Sequence, residues 1–262
     1  MQQFVKKSMS KLGVDVRLVR NIPLARKKQK HDDLISRWRL LSRYIPKTIL
    51  DIGANEGQCA ALLREAFPEA TLVSFEPLAD CFAKVERFHR QNGPGQAFPF
   101  ALGNENATQT IHRNDFTPSS SLLPMEKMHH HEYPQTVNSH PEEIRVRRLD
   151  DVMSELNVDY PLVIKADVQG YEGHVIEGGQ ETFRKASAAV LEVTSYPLYE
   201  GQSTFDSIND QLTDLGYVFR GIVDQSISKH DRRILQFDGL FENRLLMDAQ
   251  ESSDPASGGA SS

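Results

Sequence analysis

Short apolar runs rich in β-branched residues alternate with amphipathic segments along residues 48–237. Residues 48–51 and 71–75 are predicted strands, and residues 58–67 between them are a predicted helix. The same pattern predicts helices over 32–44, 79–91, 149–152, 173–183 and 205–215, and strands over 97–102, 108–112, 143–147, 161–165, 188–193, 217–223 and 233–237. This alternation indicates one α/β domain around a doubly wound sheet.

A glycine-bearing turn follows the first predicted strand. Asp51 ends the strand and Gly53 and Gly57 follow it, in the pattern D-x-G-x-x-x-G. Glycines let the backbone turn sharply and let a ligand lie close, and the free amides at a helix start add donors. A dinucleotide fingerprint has the spacing G-x-G-x-x-G instead. An acid before the first glycine would repel a phosphate, but it suits a ligand with a cationic or hydroxyl-bearing end.

Glu76 follows the second predicted strand, 25 residues after Asp51. A β-α-β unit places an acid at about this distance to bind the hydroxyls of a ribose. The alternative is an ordinary β-α-β turn with a solvated glutamate. Residues 100–103 close the third predicted strand, where they would flank an adenine.

Further candidate groups stand at the ends of later strands. The predicted strand 161–165 ends in Lys165 and runs into Asp167 and Glu172, where an α/β sheet places its chemistry. Glu192 is embedded in the apolar strand 188–193. A carboxylate in such a position is a better functional candidate than a surface glutamate.

Composition narrows the classes of function. A net charge of −6 over 262 residues argues against a nucleic-acid-binding surface. Cys59 and Cys81 form neither a disulfide framework nor a metal spacing, so a cytoplasmic protein is expected. No apolar run approaches the roughly 18 residues that span a bilayer, and we expect no signal peptide.

The two ends of the chain differ from its middle. Residues 1–47 hold 13 Lys or Arg against three acids. Residues 1–30 are either a patch that contacts an anionic membrane or a helical extension that packs on the main domain, and the second is preferred. From Asp248 onward the chain carries too little apolar area to fold, which predicts a disordered tail.

Residues 113–141 form a polar insertion, for which we predict a lid over the acceptor site. It contains the triplet His129-His130-His131. Adjacent side chains on extended backbone alternate in direction, so no metal site is expected from the triplet.

Together, these motifs resemble the FkbM-like family of S-adenosylmethionine-dependent methyltransferases. The resemblance covers about residues 48–193. It rests on Leu50-Asp51-Ile52-Gly53-Ala54-Asn55-Glu56-Gly57, Ser74-Phe75-Glu76-Pro77, Ala101-Leu102-Gly103, Arg148-Leu149-Asp150-Asp151, Ile164-Lys165-Ala166-Asp167-Val168-Gln169-Gly170-Tyr171-Glu172 and Leu191-Glu192-Val193. Ala166 and Gln169 depart from it, since the family often has Ile and Glu there.

The resemblance implies a class I methyltransferase (Rossmann-like) fold, a three-layer sandwich around a mostly parallel seven-stranded sheet whose last strand pair is antiparallel. It implies O-methylation of a small-molecule or glycan hydroxyl by a domain over 48–247. The alternatives are a non-catalytic module that binds a nucleoside or a partner, and, with less support, an NAD-dependent enzyme.

On this interpretation Glu76 binds the ribose hydroxyls of S-adenosylmethionine and Asp51 faces the donor's ammonium group. The other residues assigned to the cofactor are Gly53, Ala54, Asn55, Gly57, Pro77, Ala101 and Leu102. Asp167 is the preferred base, followed by Glu172 and Glu192, and Lys165 orients the acceptor or pairs with an acid. The three carboxylates could instead hold a divalent cation, which is not favoured.

Overall fold

The computed structural model describes residues 22–253, with side chains from 26 to 248. Its strands are β1 Thr48–Ile52, β2 Thr71–Phe75, β3 Gly95–Phe98, β4 Ala101–Gly103, β5 Ala107–Asn114, β6 Ser139–Arg148, β7 Leu162–Ala166, β8 Ala188–Thr194, β9 Tyr217–Ile227 and β10 Ile234–Asn243. Its α-helices are α1 Ile22–Trp38, α2 Gln58–Ala66, α3 Ala79–Gln91, α4 Lys127–Glu132, α5 Leu149–Met153, α6 Glu172–Gly178, α7 Gln180–Lys185, α8 Phe205–Asp214 and α9 Arg244–Ser253.

Seven strands form the main sheet in the order β3-β2-β1-β7-β8-β10-β9. The strands from β3 to β8 in this order run parallel, and β10 pairs antiparallel with both β8 and β9. The chain therefore has the class I methyltransferase fold, with the mostly parallel sheet and the antiparallel last pair that the family resemblance implied. A smaller sheet, in the order β4-β6-β5, lies beside it.

The central strands are apolar because both faces of the sheet are covered. Alternate residues enter two separate cores: Leu50 and Ile164 pack into one, and Ile49 and Val163 pack into the other. Because side chains alternate along a strand, Asp51, Lys165 and Glu192 all fall on the face of Ile49. The charged groups thus lie side by side at the carboxyl ends of three neighbouring strands.

The predicted third strand over 97–102 is wrong as one element. β3 pairs with β2 in the main sheet, whereas β4 pairs with β6 in the smaller one. Pro99 lies between them, and a proline has no N–H with which to continue a ladder. Residues 101–103 nevertheless reach the same end of the domain.

One other local prediction needs correction. The segment from Asp248 onward is not wholly disordered, because α9 extends to Ser253. Residues 254–262 lie outside the described residues.

Part of the basic N-terminal region packs on the domain. Trp38, Leu41 and Tyr44 enter the core that also contains Ile49, and Arg37 pairs with Asp224. Residues 1–21 lie outside the described residues, so membrane contact through residues 1–30 stays a prediction. Within residues 22–253, no helix combines the length and the apolar character needed to cross a bilayer.

Candidate active site

The loops after β1 and β7 contact each other closely. The amide of Asp167 donates to the carbonyl of Ile52 over 3.0 Å. Gly53 has φ +75°, and a Cβ there would stand 1.9 Å from the carbonyl oxygen of Asp167. Only glycine fits this position. Any side chain at residue 53 would force Asp167, the predicted base, away from the turn. Gly57, at φ +88°, precedes α2.

A cleft of about 340 Å³ opens at the carboxyl ends of these strands. Seven of the nine residues assigned to the cofactor line it: Gly53, Ala54, Asn55, Glu76, Pro77, Ala101 and Leu102. Asp51 and Gly57 do not. Lys165 and Asp167 line the same cleft, whereas Glu172 and Glu192 do not. Most of the predicted donor residues therefore share one cavity with the preferred base.

Glu76 is held by the backbone around it. Its two carboxylate oxygens accept from the amides of Asn55, at 2.9 Å, and Leu78, at 2.8 Å. The residue is only 5% exposed, and burial raises the pKa of its carboxyl to about 7. Each oxygen keeps a further lone pair, so the group can still accept hydroxyl protons from a diol.

Asp51 lies beneath the cleft and pairs with Lys165. These two residues are direct neighbours on β1 and β7, and their charged atoms are 3.1 Å apart. Asp51 is fully buried, and its predicted contact with the donor's ammonium group stays a prediction. Burial disfavours the charged form of Lys165, but Asp51 and Asp167 outweigh that effect and raise its pKa well above its usual range. Lys165 also donates to the carbonyl of Gly53 over 3.4 Å.

Asp167 is oriented by Gln169. The amide nitrogen of Gln169 donates to Asp167 and to Glu192, at 2.7 Å in each case. Its carbonyl oxygen accepts from the hydroxyl of Tyr199, also at 2.7 Å. Tyr199 in turn contacts Nε2 of His129 over 3.1 Å. Both the nitrogen and the oxygen of the Gln169 side-chain amide are thus hydrogen-bonded. The amide bridges Asp167 and Glu192, which would otherwise repel each other.

The other two predicted carboxylates are buried away from the cleft. Glu172 is 2% exposed, accepts from the amide of Val168 at 2.8 Å, and has a pKa that burial raises to about 8. Glu192 accepts from Gln169 and Gln236, and burial followed by the charge of Asp167 raises its pKa well above the usual range. Both contact the loop that carries Asp167, rather than the cavity.

The polar insertion covers part of the cleft. Thr117 lines it and donates to the side-chain oxygen of Asn55 over 3.2 Å. Ser121 also lines it and donates to the carbonyl of Gln169 over 2.7 Å. The histidine triplet lies on α4, not on extended backbone, and its members diverge from buried His129 to exposed His131.

Four residues that contribute to the site were not predicted as site residues. Thr117 and Ser121 lie in a segment whose sequence shows only polarity, and Tyr199 lies beyond the region of the family resemblance. For Gln169 a signal existed, since it departs from the family pattern, but its role depends on Glu192 and Tyr199, which are distant in sequence.

The fold and the cleft together define a class I, Rossmann-like methyltransferase. The chain belongs to one particular family of this class: residues 51–219 match the family described as the methyltransferase FkbM domain. This confirms the resemblance drawn from the sequence motifs.

Two curated relatives agree with this assignment. The 2-O-methyltransferase NoeI of Sinorhizobium fredii (strain NBRC 101917 / NGR234) is 33% identical over 175 residues, which cover 63% of this chain and 70% of that protein. Methyltransferase 1 of Beauveria bassiana (strain ARSEF 2860) is 27% identical over 143 residues, covering 50% of this chain and 57% of that protein.

Solved structures resemble the chain more distantly. Magnesium protoporphyrin IX methyltransferase from Synechocystis PCC 6803 aligns over 87% of this chain and 86% of its own, with 11% identity and a TM-score of 0.44. EvdMO1 aligns over 84% of this chain and 42% of its own, with 13% identity and a TM-score of 0.45. The family assignment does not depend on these two structures.

Proposed function

We propose that this chain transfers the methyl group of S-adenosylmethionine to a hydroxyl of a carbohydrate or carbohydrate-like acceptor. One observation carries the proposal: Glu76, the Gly53 turn and Asp167 line a single cleft in a chain of the FkbM family. Methylation of an oxygen is supported by the similarity to NoeI, a 2-O-methyltransferase, and the carbohydrate class of acceptor follows the family resemblance.

The cleft suits the donor chemically. Glu76 offers carboxylate oxygens to the ribose hydroxyls, and Ala101 and Leu102 offer an apolar wall to the adenine. The donor, when bound, supplies an electrophilic methyl group on a sulfonium centre. Residues 53–55 form the floor, where backbone without bulky side chains permits close approach.

Asp167 is the proposed base. Its side chain is 36% exposed and lines the cleft, so an acceptor hydroxyl can approach it. The hydroxyl oxygen forms the new bond to the methyl carbon as the sulfur–carbon bond breaks, and the hydroxyl proton passes to the Asp167 carboxylate. A positioned base contributes typically about 10²–10⁴-fold to the rate.

Lys165 and Gln169 act as positioning residues on this interpretation. The ammonium group of Lys165 is 3.9 Å from Asp167, and the amide of Gln169 holds the other carboxylate oxygen. Glu172 stabilises the same loop by accepting a hydrogen bond from the backbone amide of Val168. Alignment by such a frame is itself a large part of catalysis, about 7–11 kcal/mol in well-oriented systems.

A cation held by Asp167, Glu172 and Glu192 gains no support from the geometry. Among the described residues, the group whose ligand atoms approach closely enough for a metal is a different one, His131, Glu132 and His230. Glu172 and Glu192 already accept hydrogen bonds from Val168 and from two glutamines. The proposed reaction uses Asp167 alone as base and requires no cation in the cleft.

The test uses methyl-labelled S-adenosylmethionine and a panel of mono- and oligosaccharides with free vicinal hydroxyls. Formation of S-adenosylhomocysteine together with a labelled sugar, both lost in Asp167→Asn, supports the proposal. Donor binding without turnover on any sugar would reject the acceptor class. Absence of donor binding would favour a non-catalytic module.

A further inference from the structure

Three potential metal ligands converge on a surface outside the cleft. His131 and Glu132 end helix α4 of the insertion, and His230 lies in the turn between β9 and β10. One ligand atom of each lies within 4.8 Å of the other two, and none of the three residues lines the cleft. We propose that His131, Glu132 and His230 bind a zinc ion that fastens the insertion to the β9–β10 hairpin.

The chemistry of the set favours zinc. Two imidazole nitrogens and one carboxylate oxygen are a common zinc ligand set, with water as the fourth ligand. Bonds of about 2.0–2.2 Å in a tetrahedron hold ligand atoms roughly 3.4 Å apart, so small side-chain rotations suffice here. His131 and His230 are exposed and Glu132 is partly buried, which lets an ion enter from solution. Mg²⁺ and Ca²⁺ prefer all-oxygen sites.

Hydrogen bonds and a ring contact already orient the three potential ligands. The buried hydroxyl of Ser228 donates to Glu132 over 3.1 Å and accepts from the backbone amide of His230 over 3.1 Å. The rings of His131 and His230 lie 4.5 Å apart between centroids. Hydrogen bonds to a ligating carboxylate are the kind of outer-shell support that metal sites use.

The position of the site indicates what the ion would do. Tyr133 already bonds Ser226 of β9 over 2.8 Å, beside the contact between Glu132 and Ser228. On the same helix, buried His129 bonds Tyr199, which orients Gln169. A metal at the exposed end of α4 would therefore hold the insertion against the sheet without entering the cleft. The proposal does not depend on which acceptor the enzyme uses.

The test measures Zn²⁺ binding to the full chain without a histidine tag, by calorimetry, and Co²⁺ substitution by visible absorption. We expect one Zn²⁺ per chain, tetrahedral Co²⁺ bands, and no competition by Mg²⁺. His131→Ala and His230→Ala should weaken binding by at least the roughly 10–100-fold that loss of an outer-shell partner typically costs. Glu132→Gln, which can still accept from Ser228, should weaken it too.

The matched control is His140→Ala, which removes another exposed histidine, on β6 outside the cluster. It should bind Zn²⁺ like the wild type. Absence of saturable Zn²⁺ binding overturns the proposal, and so does binding that survives both His131→Ala and His230→Ala. Circular dichroism of each variant confirms that the exposed substitutions leave the fold intact.

Discussion

Donor binding should depend on the ionisation of Glu76. Its carboxyl is buried and has a pKa of about 7, so an appreciable fraction is protonated near neutral pH. A protonated carboxyl loses acceptor capacity toward the ribose hydroxyls. If only the carboxylate binds, about one tenth of the protein is competent at pH 6 and about nine tenths at pH 8. Nucleoside affinity should therefore rise about tenfold over that interval.

The assay is calorimetric titration with 5′-methylthioadenosine at pH 6, 7 and 8. This ligand keeps the ribose and adenine but lacks the α-amino group of the donor, which itself titrates near pH 8. Buffers of different ionisation enthalpy add a second reading, because binding at pH 6 should release nearly one proton. Glu76→Gln should bind weakly at every pH, about 10–100-fold below wild type at pH 8, since the charge-assisted bonds are lost.

Loss of folding would not imitate this result. A carboxyl whose folded pKa is raised from 4.5 to about 7 contributes stability that is fully present below about pH 4.5 and is lost as the pH rises through about 7. Protonation of Glu76 thus favours the free fold while it weakens donor binding. Wild-type affinity that is flat from pH 6 to 8, or a pH slope that Glu76→Gln retains, would refute the assignment. Thermal unfolding of Glu76→Gln is a necessary control, because one buried amide loses its acceptor at about 1–3 kcal/mol.

Three further substitutions test the rest of the cleft. Asp167→Asn should lower kcat by about 10²–10⁴-fold with donor affinity nearly unchanged, measured as release of S-adenosylhomocysteine. Gln169→Glu should lower kcat and change the pH–rate profile, because a third carboxylate replaces the amide between Asp167 and Glu192. Gly53→Ala should lower the melting temperature far more than Gly201→Ala. Both glycines have positive φ, so alanine at either position is strained by about 1–2 kcal/mol, but only Gly53 lacks room for a Cβ.

Each of these three predictions has its contradicting outcome. Full turnover in Asp167→Asn would move the role of base to another group. An unchanged pH–rate profile in Gln169→Glu would mean that the amide does not tune the carboxylates. Equal losses of melting temperature in the two glycine variants would show that the loops after β1 and β7 can separate without cost.

The fold and the meeting of the Gly53 turn with Glu76 at the cleft were predictable because their signals are local. Each buried parallel strand is a short apolar run, and the turn residues Gly53–Asn55 and Glu76 follow strands directly in sequence. The prediction of a single third strand was wrong because residues 97–102 form one apolar run in the sequence, although Pro99 interrupts the pairing of that run. The helix over Asp248–Ser253 was missed because a polar segment can continue a helix that starts in the preceding residues.

Asp51 shows why other contacts within the site could not be predicted from the sequence. In the local sequence, an acid ahead of a glycine turn suits a cationic ligand. We therefore predicted a contact between Asp51 and the donor's ammonium group. The order of strands places β7 next to β1, so Asp51 also pairs with Lys165 inside the protein. Pairing between strands more than 100 residues apart in the chain is a property of the sheet order, which local patterns do not reveal.

The side of the cleft around Asp167 is assembled from such distant pieces. Thr117 of the insertion and Gln169 of the loop after β7 line it, and Tyr199 of the segment after β8 supports Gln169 from outside the cleft. Gln169 joins them: it accepts from Tyr199 and donates to both Asp167 and Glu192. Burial raises the pKa of Glu192 and keeps that side chain out of the cleft, whereas Asp167 lines it. A change of the insertion that shifts Tyr199 should therefore alter kcat through Asp167 while leaving the donor residues in place.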